Sequence, residues 1–452
     1  NRFELEHYKN QTKQLFYFAF DNYLDHAFPF DELKPISCTP KTRNFTHADD
    51  TATNDVLGNF SATLVDSLTT IAILGDTDRF EHSVSLIEDV IPIDFDIDST
   101  VQVFETTIRI IGGLLSAHLY ATDPRKKVYL GDRYSGHLLS RARNLADRLL
   151  PVYLTSSGLP LPRINLRYGF RGFTADMIDE NNAAAMACPI FEFTILSYLT
   201  HDDKYRQVTR YAFDKTWSLR SNLNLLPMSF NPETKSRYCS ITGTGASIDS
   251  FYEYALKGAI LFNDNELLKV WHKSYRSLNV HAKADWFYVN VNTDWGQVAL
   301  PWIDSLSAFF PGLQVLNGDL EEATIKHTMF LKLWNAYGGI PERWNFQVTE
   351  RTQKGEIIIK EKDIQVEDVI ALEWYPLRPE FVESTYFLYR ATKDPFYLNI
   401  GWNILHDLNT RFKSNCGFAG IQNVITGVAQ DRMETFVLSE TLKYLYLLFD
   451  EG

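Results

Sequence analysis

Leu57-Gly58-Asn59-Phe60-Ser61-Ala62-Thr63-Leu64-Val65-Asp66-Ser67-Leu68-Thr69-Thr70-Ile71 places apolar residues at Leu57, Phe60, Leu64, Leu68 and Ile71. Steps of three and four put these side chains on one face, the pattern of a helix buried along a stripe. Next comes Gly75-Asp76-Thr77-Asp78, a turn whose Asp can accept a free N–H at the start of a second helix. The same punctuation recurs at Thr122-Asp123-Pro124, His201-Asp202-Asp203, Asn263-Asp264-Asn265, Gly318-Asp319 and Lys393-Asp394-Pro395, where Pro suits a first helical position. Taking Asp76, Asp123, Asp202, Asp264, Asp319 and Asp394 as markers, the intervals are 47, 79, 62, 55 and 75 residues. Each fits one helical hairpin plus a variable loop. The amphipathic stretches predict about fourteen helices, paired as about seven hairpins. Open solenoids keep tighter periods, so the pattern suits a closed ring whose longer loops build a site on one face. Short β-like pieces, Trp286-Phe287-Tyr288-Val289 and Gly355-Glu356-Ile357-Ile358-Ile359, interrupt the helices. With no low-complexity linker, residues 1–452 read as a single domain.

Composition narrows the function. The net charge of −13 argues against nucleic acid or another polyanion, which would need clustered Lys and Arg. Aromatics make up 14% of the 452 residues, enough for a large core and for stacking on sugar faces. No apolar run approaches the roughly 18 residues of a membrane span. The opening Asn1-Arg2-Phe3-Glu4 is no secretory signal, although a mature chain would already have lost one, and Asp31-Glu32-Leu33-Lys34 is internal and cannot act as a terminal retention signal. Asn10-Gln11-Thr12, Asn44-Phe45-Thr46 and Asn59-Phe60-Ser61 are N-glycosylation acceptors, which suit the secretory pathway. The four cysteines (Cys38, Cys188, Cys239, Cys416) lack C-x-x-C spacing, which argues against a zinc ribbon or thioredoxin-like site and leaves zero, one or two bridges open.

The chemistry lies in charges on otherwise apolar helices. Val101-Gln102-Val103-Phe104-Glu105-Thr106-Thr107-Ile108-Arg109-Ile110-Ile111-Gly112-Gly113-Leu114-Leu115 is apolar nearly all round, yet Glu105 and Arg109 sit one turn apart. An exposed pair would be worth about 0.3–0.5 kcal/mol, but the neighbouring faces leave little room for solvent, and a buried carboxylate must be paired or do chemistry. In Arg378-Pro379-Glu380-Phe381-Val382-Glu383, Pro379 can open a helix with Glu380 and Glu383 in its first turn, where the helix dipole alone favours acids. Asp249 and Glu253 share another face, and Asp304, Glu342, Glu434 and Glu440 stand in further apolar segments. Acids recurring on successive apolar hairpins predict a carboxylate-lined cavity, which is what acid/base hydrolysis of a neutral glycoside requires.

At these residues the sequence resembles glycoside hydrolase family 47, the class I α-1,2-mannosidases, from about Phe16 to the last residue. The motifs are FETTIRIIGGLLSAH, GASIDSFYEY, LRPEFVES and METFVLSETLKYLYLLF, and the stretch FYFAFDNYLDHAFPFDELKPISC resembles the ER degradation-enhancing branch. The resemblance implies an all-α (α/α)7 barrel with a few short β-hairpins on one face, inversion at the anomeric carbon and a bound calcium ion (Ca2+). It makes Glu105 and Asp249 the two candidate general acids and Glu380 the general base. Arg109, Glu192, Glu253, Asp304, Glu342, Arg378 and Glu383 match pocket positions, Phe436 the ring beneath the sugar, and Glu440 a carboxylate near calcium. The family's Thr-Glu pair, whose Thr ligates calcium directly, would lie beyond Gly452. Processing mannosidases carry Arg where this chain has Ser247, a departure shared with the degradation branch that bears on which mannose branch is cut. The resemblance further implies a Cys38–Cys416 bond, with Cys188 and Cys239 as buried thiols, and the endoplasmic reticulum lumen as location. It implies high-mannose N-glycans of misfolded glycoproteins as substrate and a protein disulfide isomerase relative as partner. A lectin-like binder with little turnover and a general glycan-processing mannosidase are the alternative readings.

Overall fold

The computed structural model describes residues 2–347, 349–351, 357–359 and 365–451. Fourteen helices among these residues form two concentric layers. In chain order they are α1 (Arg2–His26), α2 (Ala62–Leu74), α3 (Thr77–Val90), α4 (103–122), α5 (His137–Leu149), α6 (Ala183–Thr200, broken at Cys188-Pro189) and α7 (Lys204–Ser218). Then follow α8 (Asp249–Phe262), α9 (Asn265–His281), α10 (Ser305–Leu316), α11 (Leu320–Tyr337), α12 (Glu380–Thr392), α13 (Pro395–Thr410) and α14 (437–449). The even-numbered helices pack side by side from α2 round to α14, and α14 closes against α2, while each odd-numbered helix backs an even one from outside, α1 covering α14. The observed architecture is therefore the expected (α/α)7 barrel.

Loop lengths give the barrel two unlike ends. Inner helices pass to outer ones through short turns (75–76, 201–203, 263–264, 317–319, 393–394), with 123–136 the long exception. Outer helices return through long segments (27–61, 91–102, 150–182, 219–248, 282–304, 338–379, 411–436). The paired strands lie in these long segments. Thr100–Gln102 pairs with Arg163–Asn165, for example, and Trp302–Asp304 with Arg343–Asn345, all antiparallel. The hairpins thus gather at the end where inner helices begin. Of the two β-like pieces, Trp286–Val289 is not a strand: only Tyr288 makes an isolated bridge, to Lys283, and the strand begins at Asn290. Ile357–Ile359 does pair, with Thr349–Arg351, while Gly355 and Glu356 lie outside the described residues.

Leu64, Leu68 and Ile71 are buried as their spacing requires, but α2 begins only at Ala62, so Leu57 and Phe60 lie in the segment before it. Its first N–H groups are met from a distance. The buried Asp31 carboxylate accepts from Asn59, Phe60 and Ala62, at 2.7, 2.9 and 3.1 Å, whereas the local cap residue Ser61 gives its hydroxyl to Pro29. Among the acidic turns, Asp76, Asp264 and Asp394 cap the following helix. Asp123 instead binds Arg125, and Asp319 accepts from the Tyr275 hydroxyl, so the repeat was real but its capping role is not uniform.

The expectation that no stretch could span a membrane needs correction. Among the described residues one helix, α6, is long and apolar enough by length and composition. Its apolarity has a local cause: it is an inner helix with neighbours on most sides, and 72% of it is buried inside the ring. Close approach of inner helices also fixes Gly113 of α4, where a Cβ would stand 2.6 Å from the Val65 carbonyl oxygen of α2. Gly113→Val is expected to force these helices apart and cost several kcal/mol, on the scale of core overpacking at about 1–3 kcal/mol or more. A clear drop in the thermal midpoint checks this, and an unchanged midpoint contradicts the packing described.

Candidate active site

Inner helices start at the long-loop end, so their first turns surround one mouth. Asp249 and Glu380 are the first residues of α8 and α12, and Glu105 lies in the first turn of α4. Free N–H groups there favour carboxylates, and burial on all other sides removes the solvent that would screen them. The ring encloses a cavity of about 500 Å³ lined by Glu105, Asp249 and Glu380 together. Arg109, Glu253, Arg378, Glu383, Phe436 and Glu440 line the same space. Three expected pocket residues stand behind that wall. Glu192 accepts from the hydroxyl of Tyr254, itself a lining residue, at 2.8 Å. Asp304 accepts the Ala246 N–H at 3.2 Å, and it leaves no room for a Cβ at Gly245. Glu342 accepts from Arg378 Nε at 2.7 Å and from Ser305 at 3.1 Å. These residues orient lining groups rather than face the cavity.

Two arginines frame the Phe436 ring. The guanidinium carbons of Arg109 and Arg378 lie 5.7 and 5.8 Å from its centroid. Arg109 also binds Glu105 (Nε to Oε2, 2.8 Å) and the Thr435 hydroxyl (3.0 Å). Burial works against its charge, but Glu105, Asp66 and Glu434 outweigh this, so its pKa rises. Arg378 behaves alike, held by Glu342. Both stay cationic.

For the carboxylates, burial favours the neutral form instead. Burial raises Asp249 to about 7, reinforced by Asp304 and Glu253 and opposed by the Ser250 N–H. Burial raises Glu380 well above the ordinary range, with Arg378 opposing; its Oε2 has no hydrogen-bond partner. Burial also lifts Glu192 to about 8, Asp304 to about 6 and Glu440 to about 7. Such a set has the variety of protonation states that acid/base chemistry needs near neutrality.

The sequence reading missed several participants. Asp66, inside the stretch that revealed the fold, lines the cavity, accepts from Ser439 at 2.9 Å and approaches Arg109 at 3.9 Å. It is a lone acid in an apolar run, the signal that exposed Glu105. Lys257 lies between Glu253 and Glu383, with Nζ at 2.5 and 3.2 Å. Two inner helices also carry π-helical turns, Thr106–Ile111 and Val437–Thr441, which hold Arg109 and Glu440; such turns recur at functional sites.

For a hard cation, the donor chemistry fits in part. Among the described residues, no three His, Cys, Asp or Glu side chains converge on one metal position. Glu440, Glu383 and Glu380, whose Oε2 has no hydrogen-bond partner, do line the cavity, and carboxylate oxygens are the donor type a calcium ion takes. Cys38 and Cys416 are bonded, with Cα atoms 5.6 Å apart. Cys188 is a buried thiol, but Cys239 is partly exposed, because its short strand lies at the rim. Of the glycosylation acceptors, Asn10 and Asn59 are exposed, whereas Asn44 is half-buried and binds Asp50 through its amide nitrogen.

Comparison with known proteins shows the family and the fold. The family described as glycosyl hydrolase family 47 matches residues 15–452. ER degradation-enhancing alpha-mannosidase-like protein 1 of Saccharomyces cerevisiae is 64% identical over 99% of this chain and 56% of its own length. The Schizosaccharomyces pombe protein of the same name is 40% identical over 98% of this chain and 53% of its own length. ER degradation-enhancing alpha-mannosidase-like protein 2 of Homo sapiens is 37% identical over 98% of this chain and 71% of that protein. The chain thus spans about half the length of the two yeast relatives. Among solved structures, an alpha-1,2-mannosidase from Trichoderma reesei superposes with a TM-score of 0.83 at 23% identity, covering 99% of this chain and 94% of that one.

Proposed function

This chain belongs to glycosyl hydrolase family 47, and from that membership and the cavity we infer an inverting α-1,2-mannosidase that trims high-mannose N-glycans on misfolded glycoproteins. The observation that carries the inference is the meeting of Glu105, Asp249 and Glu380 on one closed pocket.

Asp249 is the proton donor in this reading. It is half-buried in the cavity wall with a pKa near neutrality, about 7, while Glu105 is engaged with Arg109. Glu380 takes the proton of the attacking water on the opposite face of the sugar. Inversion then requires that the acid and base carboxyls stand roughly 6.5–9.5 Å apart, leaving room for that water. Phe436, framed by its two arginines, supports the apolar side of the ring, and Glu342 fixes Arg378 for the hydroxyls. A calcium ion near Glu440, Glu380 and Glu383 would supply positive charge that favours ionised Glu380 and sugar-hydroxyl binding. Ser247, which lines the pocket in place of a long cation, supports the degradation branch over general glycan processing. The endoplasmic reticulum lumen, as the relatives' names suggest, and a protein disulfide isomerase partner complete the proposal.

The test is incubation with a high-mannose oligosaccharide and calcium, followed by weighing the products. Stepwise loss of mannose is expected; retained binding without loss would leave a lectin instead. A pH profile tests the acid. A donor must be protonated, so kcat/KM should fall above the Asp249 pKa of about 7, tenfold per pH unit. Asp249→Asn should slow turnover by about 10²–10⁴-fold and abolish that limb. A limb surviving in the variant would move the role to Glu105.

A further inference from the structure

We propose that Lys257 is a positioning residue, which ties the helix of the proton donor to the helix of the base by bridging Glu253 and Glu383. The proposal rests on the roles given above to Asp249 and Glu380.

Asp249, Glu253 and Lys257 follow one another at steps of four along α8, so all three share one face. The first two line the cavity and Lys257 does not. Its Cα stands about 12 Å along the helix from that of Asp249, at about 1.5 Å per residue. Helical side chains lean towards the N-terminus, so Lys257 reaches back towards the acids. Its Nζ lies 2.5 Å from Glu253 on its own helix and 3.2 Å from Glu383 Oε1 on α12. Glu253 is one turn further along α8 than Asp249, and Glu383 one turn further along α12 than Glu380. The bridge therefore runs one turn deeper in the ring than the donor and the base.

The two helices are not neighbours. Between them stands α10, which packs on both. These two contacts differ in kind. Ser384 of α12 accepts the Gly312 N–H of α10 at 2.9 Å and donates to the Ala308 carbonyl. Tyr444 of α14 holds the other side of α12, donating to Glu383 Oε1 at 3.2 Å. Between α8 and α10, by contrast, the described residues make no hydrogen bond or ion pair, and Tyr252 meets Phe310 edge-on with ring centroids 6.3 Å apart. Apolar contact of that sort is non-directional. Among the described residues, Lys257–Glu383 is the one ion pair that joins α8 to α12.

The charge suits the task. Burial opposes the Lys257 cation, but Glu253 and Glu383 outweigh it, so its pKa rises. Phe387 lies on one side, its ring centroid 5.8 Å from Nζ. Without the ammonium, the two carboxylates would repel each other where little water screens them, and α8 would move away from α12. The donor would shift, while the base, on a helix held through Ser384 and Tyr444, stayed in place. A misplacement of about 1 Å is enough to cost on the order of 10²-fold in rate.

The experiment compares the calcium-loaded wild type and Lys257→Met on two substrates, the mannose-α-1,2-mannose disaccharide and α-mannosyl fluoride. Fluoride leaves without taking a proton, so the second substrate needs the base but not the donor. Lys257→Met should lower kcat for the disaccharide by about 10–100-fold at unchanged KM, and lower fluoride release by less than about threefold. Damage to the fold would act on both substrates alike. Equal loss on both, a loss carried by KM, or no loss on either overturns the proposal. A lower thermal midpoint with unchanged kcat would make Lys257 structural only, and overturns it too. Lys257→Gln, which can donate to one carboxylate without joining both, is read in the same way should the Met variant not fold. If wild type releases neither mannose nor fluoride, the mannosidase reading fails and takes this proposal with it. If wild type cuts both and the Lys257 variants equal it, the proposal alone fails.

Discussion

Glu380→Gln is expected to reduce mannose release by about 10²–10⁴-fold, the usual weight of a general base, with the fold intact. The amide has the shape of the carboxylate but cannot take a proton from water. Stability should hold or rise slightly, because burial opposes the Glu380 charge and its Oε2 has no partner to lose. Oligosaccharide turnover together with the thermal midpoint checks both halves. Unchanged turnover would remove Glu380 from the base role. Lost turnover with a collapsed midpoint would make it structural.

The second large effect is on stability. Removing the Cys38–Cys416 bond by Cys38→Ser with Cys416→Ser should cost about 6 kcal/mol on the loop-entropy model, because the bond closes a loop with a sequence separation of 378. It also releases the hairpin in which Lys41 binds the buried Glu32 at 2.6 Å, near Glu434 behind the pocket. A lower guanidinium midpoint under non-reducing conditions is the expected result; a midpoint equal to wild type would mean that the hairpin is held without the bond.

What the sequence disclosed followed from local rules. Helical spacing and uneven intervals were enough for a ring of hairpins with one elaborated face, and charge in an apolar run singled out Glu105, whereas the roles given to Asp249 and Glu380 came from the family resemblance. Long-range partnerships stayed hidden. Nothing near Ala62 says that Asp31 will cap that helix, and Glu342 meets Arg378 across 36 residues through the fold. For Asp66 the signal was present: the rule that exposed Glu105 applies to it, but its stretch carries a periodicity strong enough to account for the residues by itself. The α6 helix shows the converse, since neighbours within the ring make a helix as apolar as a lipid would.

The most direct test of the account is proton NMR of the mannose first released from the α-1,2-linked disaccharide by the calcium-loaded protein. Water activated by Glu380 opposite Asp249 predicts the β-anomer, which then mutarotates. Release of the α-anomer, or no release at all, would contradict it.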